Sequence, residues 1–153
     1  EYLKNNKRDK FILYSGLDIN KSSLEIAKKK FPDNTYIHTD ILDKKNKIKI
    51  YDYIIINGLF TQKLSLSNKQ MNEFMQNILN SLSNKFKIGL SFNILSENVD
   101  YKNKFNFYPK ADKIESFLCN KLSRNFIVRH DYGLYEKTYY LYKDLFKWKH
   151  NFG

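Results

Sequence analysis

Short apolar runs alternate with amphipathic segments along most of this chain. Short apolar runs bounded by turn residues are typical of buried strands, whereas apolar residues spaced three and four apart are typical of helices. The clearest helical pattern spans residues 67–82, and the most continuous apolar run spans residues 51–58. Because alternating strands and helices favour parallel strand pairing, the sequence predicts an α/β fold with a doubly wound, mostly parallel sheet.

The last two predicted strands differ from the others. Residues 126–131 and 137–142 are joined by a short connection that contains Gly133. This spacing favours an antiparallel pair, so we expect the sheet to end on an antiparallel strand. The basic, aromatic tail at residues 144–153 is expected to be peripheral.

Length and composition predict one globular domain over residues 1–153, with a formal net charge of +11. Only Arg8, Arg124 and Arg129 are arginines, and the lysines are spread along the chain, so nucleic acid is not an expected partner. Cys119 is the single cysteine, which excludes a disulfide framework and a thiolate metal cluster. With a single cysteine, we expect a cytoplasmic protein without a bound metal. No apolar run is long enough to span a bilayer, so we expect no contact with a membrane.

Two predicted strands end on acidic residues, at Asp18 and Asp40. Ligands of open α/β sheets bind beyond the carboxyl ends of the strands, where a carboxylate can accept hydrogen bonds from both hydroxyls of a ribose. Asp18 is therefore the first candidate for a nucleotide contact, and the alternative that it only caps the following turn stays open. Ser22 and Glu25 are three residues apart, which predicts a capping box at the start of the next helix.

The apolar run at residues 51–56 leads into Asn57 and Gly58. Its continuous apolar character predicts a central strand covered on both faces. Glycine at its end lets the backbone turn sharply close to a ligand. The sequence therefore adds a third strand end to the predicted ligand site.

In this order, the strand ends resemble those of class I S-adenosylmethionine-dependent methyltransferases. The similarity lies in residues 17–19, in Asp40 with Ile41, and in the strand at 52–57 before a long helix. The later pattern is similar to a group of small, mostly uncharacterised bacterial methyltransferases, in Phe92-Asn93, Asp100-Tyr101-Lys102, Arg129-His130-Asp131-Tyr132 and Tyr135-Glu136. The resemblance covers residues 11–143 and implies a Rossmann-like fold, S-adenosylmethionine as cofactor and methyl transfer as the activity.

The resemblance also implies which residues bind the cofactor. Asp18 would hold the ribose hydroxyls, and Ile19 would line the adenine pocket. Asp40 would accept a hydrogen bond from the adenine amino group, and Ile41 would pack on the ring. Asn57, Gly58 and Phe60 would lie beside the sulfonium and its methyl group.

One feature of that family has no counterpart in this sequence. The glycine-rich loop that follows the family's first strand, and holds the methionine part of the cofactor, does not occur among the five glycines. In the family's sheet that strand lies between the two strands predicted here at 13–18 and 53–57. We therefore expect the first strand to be missing and the domain to be incomplete at its N-terminus.

Methyl transfer to a hydroxyl or amine is helped by a base whose pKa is near neutral. His130 is the candidate base and Asp131 its candidate orienting partner, and a purely structural histidine is the alternative. Tyr101, Tyr108 and Tyr132 are candidates for an acceptor pocket. The expected acceptor is a small or sugar-linked molecule, and the alternatives are a non-catalytic binding module and a nucleic-acid methyltransferase.

Overall fold

A computed structural model describes residues 12–143, so the predicted tail at 144–153 lies outside the described residues. The chain divides into two compact units, Glu1–Lys47 and Ile48–Gly153. The single domain stays a prediction.

The first unit contains a βαβ arrangement. Strand β1 (Ser15–Asp18) and strand β2 (Thr35–His38) pair in parallel, and helix α1 (Lys21–Lys30) connects them. The hydroxyl of Tyr36 lies 3.0 Å from the carbonyl oxygens of both Ala27 and Phe31. Ala27 lies in the last turn of α1 and Phe31 is its C-cap, so the Tyr36 hydroxyl fastens the end of the helix to β2.

The predicted capping box at Ser22 and Glu25 is wrong. Helix α1 begins two residues earlier, after Asn20, whose side-chain oxygen accepts a hydrogen bond from the Ser23 N–H at 3.2 Å. Asn20 has extended backbone angles and lies two residues after the end of β1, so its short amide caps the first turn in place of the Ser22 hydroxyl.

The second unit contains a four-stranded sheet in the order β3-β4-β6-β5. Its elements are β3 (Tyr51–Ile56), α2 (Asn68–Leu82), β4 (Phe86–Leu95), α3 (Ala111–Lys121), β5 (Phe126–Arg129) and β6 (Glu136–Tyr142). Strand β3 pairs in parallel with β4, whereas β6 is antiparallel to both β4 and β5. The predicted α/β class, with parallel pairing and an antiparallel C-terminal strand, is confirmed.

The core of this unit lies on the face of the sheet that α2 covers. Helix α2 begins at a capping box formed by Ser67 and Gln70, and its buried residues are Met71, Met75, Ile78, Leu79 and Leu82. The fully buried ring of Phe60 makes edge contacts with Phe74 of α2 and Phe92 of β4. The Tyr139 ring stacks on Phe92 with 5.1 Å between centroids, which extends the core to β6.

Strand β3 is more exposed than its apolar sequence predicts. Tyr53 and Ile55, which alternate with the half-buried Ile54 and Ile56, are 60% and 79% exposed. The prediction that this strand is covered on both faces is therefore wrong for residues 12–143. Within that range β3 bonds only to β4, and β1 only to β2.

Candidate functional site

Asp18 occupies the carboxyl end of β1, as predicted. One of its carboxylate oxygens accepts a hydrogen bond from the Asn20 N–H at 2.8 Å, which orients the side chain at the start of α1. No hydrogen bond from residues 12–143 engages the other oxygen, and the side chain is half-buried. Asp18 thus shapes the turn, as the alternative held, and also keeps an acceptor for a ligand hydroxyl.

Asp40 and Ile41 follow β2 at the same edge of the two-stranded sheet. Because β1 and β2 are parallel and Asp18 lies opposite His38, the two acidic residues follow neighbouring strand ends. Asp40 accepts the Leu42 N–H at 2.8 Å. The first unit therefore brings both predicted carboxylates to one edge.

Two further contacts shape this edge of the first unit. The Nε2 atom of His38 lies 3.0 Å from the carbonyl oxygen of Ile19, and the Ile19 side chain is 66% exposed. Asn46 donates to the Ile41 carbonyl at 2.7 Å, which holds the loop after β2. Ile19 therefore presents an apolar surface beside Asp18, and Ile41 is fixed in a half-buried position.

The turn after β3 depends on the backbone freedom of Gly58. Its φ of +75° lies in the left-handed region, and nothing lies within 4 Å of the position that a Cβ would take. Glycine is required here for its backbone angles rather than for space. Because the turn faces open space, a ligand can approach the backbone at Asn57 and Gly58.

A buried asparagine fixes this turn. The Gly58 N–H donates to Oδ1 of Asn93 at 2.7 Å, and Nδ2 of Asn93 donates to Oε2 of Glu136 at 2.5 Å. Asn93 is 8% exposed, and both of its hydrogen bonds are partly buried. The three groups join the carboxyl ends of β3 and β4 to the start of β6, and we call them the Gly58–Asn93–Glu136 network.

Sequence reasoning missed Asn93 and Glu136 as site residues. The available signal was a polar residue between the apolar residues Phe92 and Ile94 of β4, where burial requires a hydrogen-bond partner. The partner could not be identified from the sequence, because Asn93 and Glu136 are 43 residues apart.

Phe60 lies at the predicted position in the chain but does not face open space. Its ring is fully buried against Phe74 and Phe92. It therefore anchors the loop that follows Gly58 to the core. Its contact with a cofactor stays a prediction, and the ring has no exposed surface.

Asp131 pairs with Arg129 and not, as the sequence predicted, with His130. Both oxygens of Asp131 accept hydrogen bonds from Arg129, at 3.0 and 2.8 Å. The planar guanidinium matches a carboxylate in this two-bond geometry better than an imidazole does. His130 is exposed beside this pair, and no hydrogen bond joins it to Asp131 within the described residues.

The Arg129–Asp131 pair gives a pH prediction. The hydrogen bonds from Arg129 hold the pKa of Asp131 below its ordinary value. We expect the pair to stabilise the fold above the unfolded pKa of Asp131 and to lose that effect as the pH falls through the folded pKa. The carboxyl carbon shift of Asp131, followed by NMR against pH, measures this midpoint. Arg129→Gln should raise the midpoint to the ordinary range, and an unchanged midpoint would contradict the pairing.

The three candidate tyrosines do not share one pocket. Tyr101 is 79% exposed on the loop after β4, whereas the Tyr132 hydroxyl lies 2.7 Å from the Thr138 hydroxyl. Tyr108 lines a cleft between two loops. On the loop that carries Tyr101, Asp100 accepts a hydrogen bond from the Tyr135 hydroxyl, which raises the pKa of Tyr135.

Neither a membrane-spanning helix nor a cluster of metal-binding side chains occurs in the described part of the chain. None of the helices between residues 12 and 143 has the length and apolar character needed to cross a bilayer. Within the same range, no three histidine, cysteine or acidic side chains are grouped to hold a metal ion.

No sequence model of a protein family matches this chain. It is 26% identical over 127 residues to the candidate methyltransferase Rv1506c of Mycobacterium tuberculosis, a match that covers 82% of this chain and 75% of the relative.

Solved methyltransferase structures share the fold. Magnesium protoporphyrin IX methyltransferase from Synechocystis PCC 6803, solved with bound S-adenosylmethionine, superposes with a TM-score of 0.60 at 12% identity, covering 88% of this chain and 61% of that one. The N-methyltransferase NodS from Bradyrhizobium japonicum, in complex with S-adenosylhomocysteine, gives a TM-score of 0.55 at 10% identity, with 84% and 65% covered. The chain thus spans less than two thirds of either structure. The predicted resemblance to class I S-adenosylmethionine-dependent methyltransferases is confirmed.

Proposed function

We propose that this chain is an S-adenosylmethionine-dependent methyltransferase of the cytoplasm, which transfers a methyl group to a small or sugar-linked acceptor. The observation that carries the proposal is the set of polar groups at the strand ends, in the fold that it shares with methyltransferases. Similarity to Rv1506c over 82% of the chain supports the same class of enzyme.

The residues at the strand ends suit the parts of this cofactor. The free carboxylate oxygen of Asp18 can accept from the ribose hydroxyls, and the exposed side chain of Ile19 can cover one side of the adenine. Asp40 offers a carboxylate to the adenine amino group, with Ile41 packed beside it. In the second unit, the turn at Asn57 and Gly58 leaves its backbone open to a ligand.

The bound cofactor would supply an activated methyl group, whose carbon the acceptor would attack in line while S-adenosylhomocysteine leaves. The chain must hold the acceptor in line, exclude water and take up a proton. The Gly58–Asn93–Glu136 network fixes the turn beside the transfer site, because Gly58 cannot shift without breaking the bond to Asn93. We assign proton uptake to His130, the exposed imidazole at the end of β5.

Calorimetric titration with S-adenosylhomocysteine tests the cofactor assignment without turnover. We expect one molecule to bind per chain with an affinity in the micromolar range. The inosine analogue of the same compound replaces the amino group with a carbonyl, and it should bind more weakly because Asp40 can no longer accept a hydrogen bond. Absence of binding would favour the non-catalytic module and overturn the proposal.

A further inference from the structure

A cleft of about 330 Å³ lies in the second unit, between the loop that follows β3 and the loop that follows β4. We call it the lysine cleft, and the residues that matter here are Lys63, Lys102, Asn103, Lys104, Asn106 and Tyr108. In open α/β sheets the loops beyond the carboxyl ends of the strands form the ligand site. The cleft therefore occupies a position where a substrate would be held.

Backbone hydrogen bonds hold the two loops against each other. The N–H groups of Lys63 and Leu64 both donate to the Phe105 carbonyl, at 2.8 and 3.1 Å, and Phe107 N–H donates to the Thr61 carbonyl at 2.9 Å. Leu64 adopts a φ of +51°, a left-handed conformation that is unfavourable for a bulky side chain. Such strain persists only where surrounding contacts impose it, and it is concentrated at functional sites.

The charges of the cleft are all positive. Its lining includes three lysine ammonium groups and no carboxylate. Within residues 12–143, none of Lys63, Lys102 and Lys104 forms an ion pair. The Lys102 ammonium lies 5.7 Å from the centre of the Tyr108 ring, and Lys63 has a long contact of 3.5 Å with the Leu66 carbonyl. The lysine cleft therefore presents positive charge that acidic side chains do not neutralise.

The polar groups of the cleft are arranged as donors. The Tyr108 hydroxyl accepts from the Asn103 N–H at 3.1 Å and from Nδ2 of Asn106 at 3.4 Å. A hydroxyl has two acceptor sites, so these bonds leave the Tyr108 proton as its remaining polar function. Similarly, Oδ1 of Asn103 accepts from the Phe105 N–H at 2.9 Å, which leaves the Asn103 amide as a donor.

We propose that the lysine cleft binds an oxyanion, a phosphate or carboxylate group, carried by the methyl acceptor. Lysine ammonium groups and neutral donors are the groups that bind oxyanions, and this cleft combines them in one place. Assignment of the anion to the acceptor rests on the proposed function, whereas binding of the anion itself does not.

The test is a titration of the chain with inorganic phosphate in low-salt buffer, followed through its amide NMR signals. We expect saturable shifts at Asn103, Asn106 and their neighbours. The variant with Lys63→Gln, Lys102→Gln and Lys104→Gln should bind at least about 10-fold more weakly. Tyr108→Phe should weaken binding about 3-fold at unchanged net charge, because it removes one donor. A parallel titration with acetate distinguishes the two kinds of anion. Acetate binding as tight as phosphate binding identifies a carboxylate on the acceptor, and much weaker acetate binding identifies a phosphate.

A matched control separates a site from general charge attraction. Lys44→Gln, Lys49→Gln and Lys113→Gln together remove the same charge from exposed positions outside the cleft. This variant should keep its phosphate affinity. Equal weakening in both triple variants, or the absence of saturable shifts, would overturn the proposal. Phosphate binding without binding of S-adenosylhomocysteine would overturn the proposed function and leave the cleft assignment standing.

Discussion

Replacement of Asn93 by alanine is expected to lower the rate of methyl transfer by at least about 100-fold, because the turn at Gly58 loses the group that positions it. The Gly58 N–H and the Glu136 carboxylate both lose their hydrogen-bond partner in this variant. An unsatisfied buried donor or acceptor costs about 1–3 kcal/mol, so some loss of stability is expected as well. Thermal unfolding and the affinity for S-adenosylhomocysteine, measured on the same sample, show whether the rate falls in a folded protein.

A donor and acceptor exchange provides the control. Asn93→Asp keeps an acceptor for Gly58 N–H but places two carboxylates together, because the side chains of Asn93 and Glu136 are 2.5 Å apart. This single variant should lose activity. Adding Glu136→Gln supplies an amide that donates to the new carboxylate at position 93, which should restore most of the rate. Failure of the double variant to recover, or full activity of a folded alanine variant, would contradict the positioning role of the network.

Replacement of Asp18 by alanine should weaken binding of S-adenosylhomocysteine by about 10- to 100-fold. Hydrogen bonds to a charged group contribute about 1.5–3 kcal/mol, and about 1.4 kcal/mol corresponds to a factor of ten in affinity. Calorimetric titration of the variant measures the loss directly. Asp18 also accepts the Asn20 N–H at 2.8 Å, so the variant changes the start of α1 as well as the ligand contact.

Asp43 offers a matched control for that structural effect. Its carboxylate accepts the N–H of Lys45, two residues later, at 2.8 Å, which is the same local hydrogen bond that Asp18 makes with Asn20. Asp43→Ala therefore removes a comparable turn contact at a position without a predicted ligand role. If both variants weaken binding equally, Asp18 acts only as a turn residue and its ribose contact is refuted.

Local patterns were sufficient for much of the fold. The helix at residues 67–82 was predicted from apolar spacing alone, and the structure starts it at the cap Ser67. The antiparallel pair of β5 and β6 followed from its short connection. The exposure of Tyr53 and Ile55 could not be predicted. An apolar run indicates a strand that can be buried, but it does not indicate which other part of the chain covers that strand.

Sequence patterns could predict the site residues near single strand ends, but not the contacts between residues that are far apart in the chain. Asp18 and Asp40 were found because each lies near the end of its own apolar run, which is a local signal, although β2 ends at His38, two residues before Asp40. The Gly58–Asn93–Glu136 network depends on β6 lying between β4 and β5, so that Glu136 pairs opposite Leu95 at the end of β4. Chain order would place β5 beside β4 instead, and no local pattern corrects this. The exchange of His130 for Arg129 as the partner of Asp131 likewise depends on side-chain geometry.

Within residues 12–143, strand β3 has a hydrogen-bonded neighbour on one side only, which affects how copies of this chain behave together in solution. A strand whose outward backbone groups and large side chains are exposed can pair with a neighbouring molecule. A net charge of +11 makes any two copies repel each other, and salt weakens this repulsion beyond a Debye length of about 10 Å at 0.1 M. We therefore expect repulsion between the lysine-rich copies to oppose association through β3. The chain should remain dispersed in dilute buffer and associate as ionic strength rises.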